Sequence, residues 1–561
     1  MIHREPIKNL YSHQGCYLAL PDAGYDQNRA PHVRTDLLCR DAELLKREIR
    51  EAARLGCDGF VQLFSGLDDL VAYQWLDHPG GKNRRDRVDA IARVERELVE
   101  LAHSLGLAYY LQNYDLMLDE WVARLFSEEN AESILRGRFR EVFQNCGCDG
   151  IIVTPTEAYN RGSSIWHPHF LGPKGVIRMA DLYRKLIVQE QGKELRFRLW
   201  LLAENREQWK RLSVALPEDV SYTVKCTAGD FWFAAPLNPA LRMQNQKLQI
   251  SVIFDVFQQY HGWGKLLAID PTWPDFVHRC MKNGVREFQL WGSWAPSCIW
   301  PNHLPGYLDG EKSNWAGTYL KNGIWESDAL MARLNLRYIL ALTRDKTPVE
   351  ALALACRQED IPADLLENAR DPLGVWWEEY YLPIGVERHE FLAGWATVFQ
   401  SPRKTWRMVL QQLGADVVRS SLQRMLTATE MLRLLLPREE NSALTRIWNR
   451  TLLFFDTHNA MREAVLCDPA LVAGCDPRSV RRVASNLEAL TARWSTEFPV
   501  EGRLWQITDD YPDQPRPTFL RRGSMADYAR SLPCRCPADI PPDEPWTFGT
   551  WHWEDEHEKN A

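Results

Sequence analysis

The chain has 561 residues, 45% hydrophobic and 25% charged, with a formal net charge of −8. That length exceeds one ordinary domain and allows a large buried core, in the composition range of soluble globular proteins. The negative balance offers no basic surface for nucleic acid, and no stretch approaches the roughly 18 uncharged apolar residues of a membrane span.

The first 345 residues alternate short apolar strands with amphipathic helices, the pattern that produces a parallel sheet. Strands are expected at Gly15–Leu20, Gly59–Phe64, Ala108–Asn113, Gly150–Val153, Arg196–Leu202, Ser221–Lys225, Gln249–Phe254 and Glu287–Trp291. Helices are expected between them at Asp41–Leu55, Arg87–Leu105, Asn130–Gln144, Ala180–Gln189 and Trp273–Lys282, with Glu326–Leu342 closing the ring. Eight such strands point to a (β/α)8 barrel over residues 1–345. Gly56-Cys57-Asp58-Gly59 and Gly147-Cys148-Asp149-Gly150 form a small internal echo, each ending a helix and opening a strand. A glycine just past a helix is the usual C-terminal stop. After Thr347-Pro348 strand signals disappear, and residues 346–497 read as an all-helical domain with apolar residues at three- and four-residue spacing. Residues 498–561 are rich in proline and aromatics and read as an extension packed on the surface.

Chemistry concentrates where the barrel strands should end. Thr154-Pro155-Thr156-Glu157 follows the fourth strand, Thr227-Ala228-Gly229-Asp230 the sixth, and Phe257-Gln258-Gln259-Tyr260-His261-Gly262-Trp263-Gly264 the seventh. The C-terminal strand ends of such a barrel form the floor of the active site, and carboxylates delivered there from different strands suit glycoside hydrolysis. Glu157 and Asp230 are the candidate carboxylates; Gln259 can bind a hydroxyl or orient water but cannot act as a base. Lys225, Asp255, Tyr260, His261 and Arg198 stand close to these ends as substrate-binding candidates. Among the 23 tryptophans, Trp263, Trp291 and Trp294 are placed to stack on an apolar pyranose face, although packing explains most of the set.

The Glu after strand four, the Val224-Lys225 pair leading to Asp230-Phe231, and Tyr260-His261-Gly262-Trp263-Gly264 together resemble the α-glucuronidases of glycoside hydrolase family 67. That family joins a (β/α)8 barrel to a long helical domain. The resemblance implies Glu157 as general acid, Lys225 as a substrate contact, and Asp230 and Gln259 as the two positions for the base carboxylate. Three departures accompany it. No room remains before the first strand for the family's β-sandwich. Gln259 stands where a carboxylate is expected, by divergence or by an engineered exchange. Val153 stands where the family carries a Lys.

The function expected is an exo-acting, inverting glycoside hydrolase that releases a terminal α-linked sugar, with a uronic acid as the candidate, from short oligosaccharides and needs no metal or cofactor. Two alternatives stay open: a sugar-binding pseudoenzyme lacking its base, and a metal-dependent sugar-acid lyase or isomerase using Asp115, Glu157, Glu204 and Asp255. The Met1–Pro6 start lacks the apolar segment of a secretory signal, and 13 cysteines without paired Cys-x-x-Cys spacing suggest reduced thiols. A cytoplasmic protein is expected, with any homodimer forming through the helical domain.

Overall fold

The computed structural model describes residues 6–13, 35, 38–63, 66–78, 84–116, 118–155, 172–199, 206–227, 237–242, 247–256, 269, 272–293, 324–380, 402–437, 442–497 and 532. The chain divides into two compact units, Met1–Arg370 with Glu439–Ile447, and Asp371–Arg438 with Trp448–Ala561.

The first unit holds a closed barrel of eight parallel strands in sequence order. They are β1 (Lys8–His13), β2 (Gly59–Leu63), β3 (Ala108–Tyr114), β4 (Gly150–Thr154), β5 (Glu194–Arg198), β6 (Ser221–Lys225), β7 (Gln249–Phe254) and β8 (Glu287–Ser293). The ring closes between β8 and β1, where Lys8 pairs Glu287 and Ser12 pairs Trp291. This is the (β/α)8 barrel of the sequence reading. One expected strand is corrected: the first is Lys8–His13, and Gly15–Leu20 lies outside the described residues. Gly15–Leu20 is the more apolar run, whereas Asn9-Leu10-Tyr11-Ser12 alternates polar and apolar groups and wins by its register with β2 and β8.

Contacts between non-neighbouring strands identify the side chains that point to the barrel axis. Arg196 on β5 ion-pairs with Glu287 on β8 at 2.6 Å, and Gln289 Nε2 on β8 donates to Gln112 Oε1 on β3 at 2.9 Å. Such pairs can meet only through the interior. Strand alternation then sends Leu10, Val61, Tyr110 and Ile152 inward, where they pack together. Their neighbours face the helices: Tyr11 donates to Glu48 of helix Leu38–Arg54, and Tyr109 bonds Glu95 of helix Arg85–Ser104.

The repeated Gly-Cys-Asp-Gly has a shared physical cause. Gly56 and Gly147 take φ of +75° and +77°, a left-handed stop that glycine adopts without strain. Asp58 then clamps Asn9, accepting its N–H at Oδ2 (2.7 Å) and donating its own N–H to the Asn9 carbonyl (2.8 Å). Asp149 does the same to Tyr109, at 2.8 and 2.9 Å. Each clamp ties a new strand to its predecessor at the N-terminal end of the barrel. The second glycine of each copy leaves space for a neighbour. A Cβ on Gly59 would lie 2.8 Å from Leu10, and one on Gly150 would run into the Glu194 carbonyl.

Helix Ile324–Thr343 packs against β8 and helix Trp273–Lys282, and Thr347 with Glu350 forms a capping box that starts helix Pro348–Arg357. In the second unit the helices Pro402–Leu413, Ala415–Leu434 and Pro477–Glu497, with Ala443–Cys467 from Trp448 onward, carry the expected helical character. Trp448 Nε1 bonds the Leu432 carbonyl, Trp494 Nε1 bonds Thr457, and the buried Arg462 caps the end of helix Ala363–Tyr380 at the carbonyls of Glu379 and Tyr380. Among the described residues, no helix is long and apolar enough to cross a membrane.

Candidate active site

At the C-terminal end of the barrel, strands β4 to β8 deliver Thr154, Arg198, Lys225, Asp255 and Trp291. All five side chains are buried, Arg198 at 0% and Lys225 at 1% relative exposure. Arg198 and Trp291 come from β5 and β8, yet the Arg198 Cζ lies 5.2 Å from the Trp291 ring centroid. The contact therefore crosses the barrel axis and places the guanidinium over the indole face. Thr223 pairs Arg198 in register, and Lys225 lies two residues further along β6, on the same face. Asp255 directly follows β7 and shares the alternation of Ser251 and Ile253.

Beneath this layer runs a polar one. Gln289 Nε2 donates to Ser12 Oγ at 3.0 Å and to Gln112 at 2.9 Å, while Thr223 and Ser251 share a hydroxyl bond of 2.7 Å. Most buried polar groups are bonded, and these contacts make the layer a polar, hydrogen-bonded floor, although Gln289 Oε1 itself has no partner. At the opposite end, burial works against the charge of Arg196 and of Glu287, and their mutual pairing keeps both ionised. Cation and anion there neutralise one another; at the functional end, Arg198 and Lys225 are buried cations contributed by adjacent strands.

The surrounding segments are anchored by a buried ionic network on the helix side of β3. Arg138, on helix Ala131–Cys146, donates to both oxygens of Asp115 at 3.0 Å and to Asp68 at 2.7 Å. Burial opposes the Arg138 charge, but Asp115 and Asp68 outweigh it and hold the guanidinium firmly protonated. Tyr183 adds a 2.5 Å bond to Asp115, and Tyr73 a 2.8 Å bond to Asp68. Glu141 accepts the N–H groups of Ala72 and Tyr73, and Asp119 bonds both Arg84 and Asp68. The segments after β2 and β3 are thereby strapped to helix Ala131–Cys146.

The sequence-derived site residues divide into two groups. Arg198, Lys225, Asp255 and Trp291 are brought together at one end of the barrel. Glu157, Asp230, Gln259, Tyr260, His261, Trp263 and Trp294 lie outside the described residues, as does Glu204. Asp115 is corrected: it does not face the barrel axis, because its carboxylate is taken by Arg138 and Tyr183. Among the described residues, no group of three or more His, Cys, Asp or Glu is arranged to hold a metal ion. Sequence reasoning missed Thr154 and the polar floor. Their signal was the isolated Gln, Ser or Thr that interrupts these strands at Ser12, Gln112, Thr154, Thr223, Ser251 and Gln289.

No protein-family model matches the chain, and no curated protein matches it. Among solved structures, a GH138 enzyme targeting pectin rhamnogalacturonan II aligns over 94% of this chain and 67% of its own, with a TM-score of 0.55 at 10% identity. The two share a fold. A mutant of the Thermobaculum terrenum O-GlcNAc hydrolase aligns over 93% of this chain and 94% of its own, with a TM-score of 0.40 at 10% identity.

Proposed function

We propose that this chain is a glycoside hydrolase of the sugar-acid class, releasing a terminal α-linked uronic acid from short oligosaccharides in the cytoplasm. The observation that carries the reading is a pair of buried cations on axis-facing positions of adjacent strands, Lys225 and Arg198, the latter with its guanidinium carbon 5.2 Å from the Trp291 ring centroid. The carboxylate of a uronic acid is an anion complementary to a guanidinium and an ammonium placed at the same end of the barrel. The pyranose ring has an apolar face that suits an indole. A GH138 enzyme that targets pectin rhamnogalacturonan II has the same fold, in keeping with sugar chemistry.

Glu157 follows Thr154 closely and takes the role of general acid. Asp230 follows Lys225 and activates water from the opposite face. Inversion then needs the two carboxyls about 6.5–9.5 Å apart, room for that water. The family 67 resemblance supports both assignments. It also supports a second reading, in which Gln259 stands where the base belongs and the chain binds sugar while turning it over slowly. A lyase or isomerase with Asp115 as a metal ligand has less support, since Arg138 and Tyr183 occupy that carboxylate.

The deciding experiment measures turnover on aryl and alkyl α-uronosides and on matched neutral glycosides. Glu157→Gln should depress hydrolysis of alkyl uronosides severely and spare activated aryl ones, whose leaving group needs no proton. Equal rates for wild type and variant on both types would remove Glu157 as the acid. Gln259→Glu raising the rate by orders of magnitude would favour the second reading; an unchanged rate, with Asp230→Asn inactive, would make Asp230 the base. Preference for neutral glycosides would refute the sugar-acid class.

A further inference from the structure

We infer that Thr154 is a specificity-determining residue: its hydroxyl is the second donor, beside the Arg198 guanidinium, for the carboxylate of a sugar acid. The inference rests on the sugar-acid reading above and adds a residue to it. Thr154 is the last residue of β4, fully buried, and its Oγ1 has no hydrogen-bond partner. A buried hydroxyl left unbonded costs free energy, and a valine would fill the same volume without that cost. The same barrel shows a satisfied alternative one layer lower, where Thr223 and Ser251 bond each other at 2.7 Å.

Geometry places the unsatisfied hydroxyl at the functional end. Ile152, two residues earlier, packs against Leu10, Val61 and Tyr110 inside the barrel, so Thr154 faces the axis by alternation. The β4–β5 register runs Gly150 with Glu194, Ile151 with Leu195, Ile152 with Arg196 and Val153 with Phe197. Its next step sets Thr154 beside Arg198. Parallel neighbours lie roughly 4.8 Å apart, a spacing that lets two side chains converge on one small anion. Arg198 is donor-only and a threonine hydroxyl can donate, so the pair is complementary to an acceptor with two oxygens. Trp291 holds the guanidinium in place at 5.2 Å. A neutral sugar presents hydroxyls there instead and gains no charge-assisted bond.

The test uses the full chain with Thr154→Val, isosteric but without the hydroxyl, and Thr154→Ser, which restores it. Calorimetric titration with glucuronate, galacturonate, glucose and galactose is read beside thermal melts that confirm folding. Thr154→Val should weaken uronate binding roughly tenfold to a hundredfold, as expected for a lost hydrogen bond to a charged group. Thr154→Ser should stay within a few-fold of wild type, and the neutral sugars should bind the three proteins alike. Uronate affinity unchanged in Thr154→Val, or Ser failing as badly as Val, overturns the inference while leaving the sugar-acid reading intact. Wild type that binds no uronate overturns both.

Discussion

Glu95 offers the most quantitative test of the chemistry buried between the barrel and its helices. It sits on helix Arg85–Ser104, wholly buried, with Gln62 Nε2 at 3.3 Å and the Tyr109 hydroxyl at 3.3 Å. Burial pushes its carboxyl from the ordinary 4.5 up to about 7, although bonds from Gln62 and Tyr109 favour the ionised form. The folded state therefore holds a proton that the unfolded chain releases. Its contribution to stability is complete below about pH 4.5 and is lost as pH rises towards 7, after which the curve is flat. At 1.36 kcal/mol per pH unit, the gap between 4.5 and about 7 is worth about 3 kcal/mol, of which roughly 2–3 falls between pH 5 and pH 8. Glu95→Gln mimics the protonated carboxyl and removes the titration. Urea unfolding of wild type and variant at pH 5 and pH 8 isolates the effect, since other titrations cancel in the difference. The variant should be nearly equal to wild type at pH 5 and more stable by about 2–3 kcal/mol at pH 8. A stability difference that is the same at both pH values would show that Glu95 does not carry a trapped proton.

Three further outcomes follow from named contacts. Gly150→Ala places a methyl against the Glu194 carbonyl, a backbone atom that cannot swing aside, and should destabilise by about 2 kcal/mol or more in the same urea assay; Gly147→Ala, with open space but φ of +77°, should cost only about 1 kcal/mol. Arg138→Met leaves Asp68 and Asp115 buried without their cation and should cost about 3–5 kcal/mol, with much of the loss recovered in a triple variant that also carries Asp68→Asn and Asp115→Asn. Asp149→Ala removes the carboxylate bond to the Tyr109 N–H while leaving the backbone half of the clamp, and should cost about 1–3 kcal/mol by urea unfolding.

The chain by itself determined its architecture to within a residue or two in several places. Ser221–Lys225, Gln249–Phe254 and helix Trp273–Lys282 have the boundaries read from their apolar runs and turn punctuation. Short β-branched strands between amphipathic helices admit few arrangements other than a parallel sheet wrapped by helices, and eight of them close. The first strand escaped, because Lys8–His13 is less apolar than the run that follows it and is selected only by partners almost 50 and 280 residues away. The same limit governs the site. Alternation says that a strand has two faces, but both faces of a parallel barrel are buried, so pattern alone does not say which one meets the axis. That was decided by the contact of Arg198 with Trp291 and of Gln112 with Gln289, 177 residues apart. Asp115 shows the converse: a carboxylate at a strand end, reasonable as a ligand in one dimension, is turned outward to Arg138 by the packing of a helix whose position no local pattern encodes.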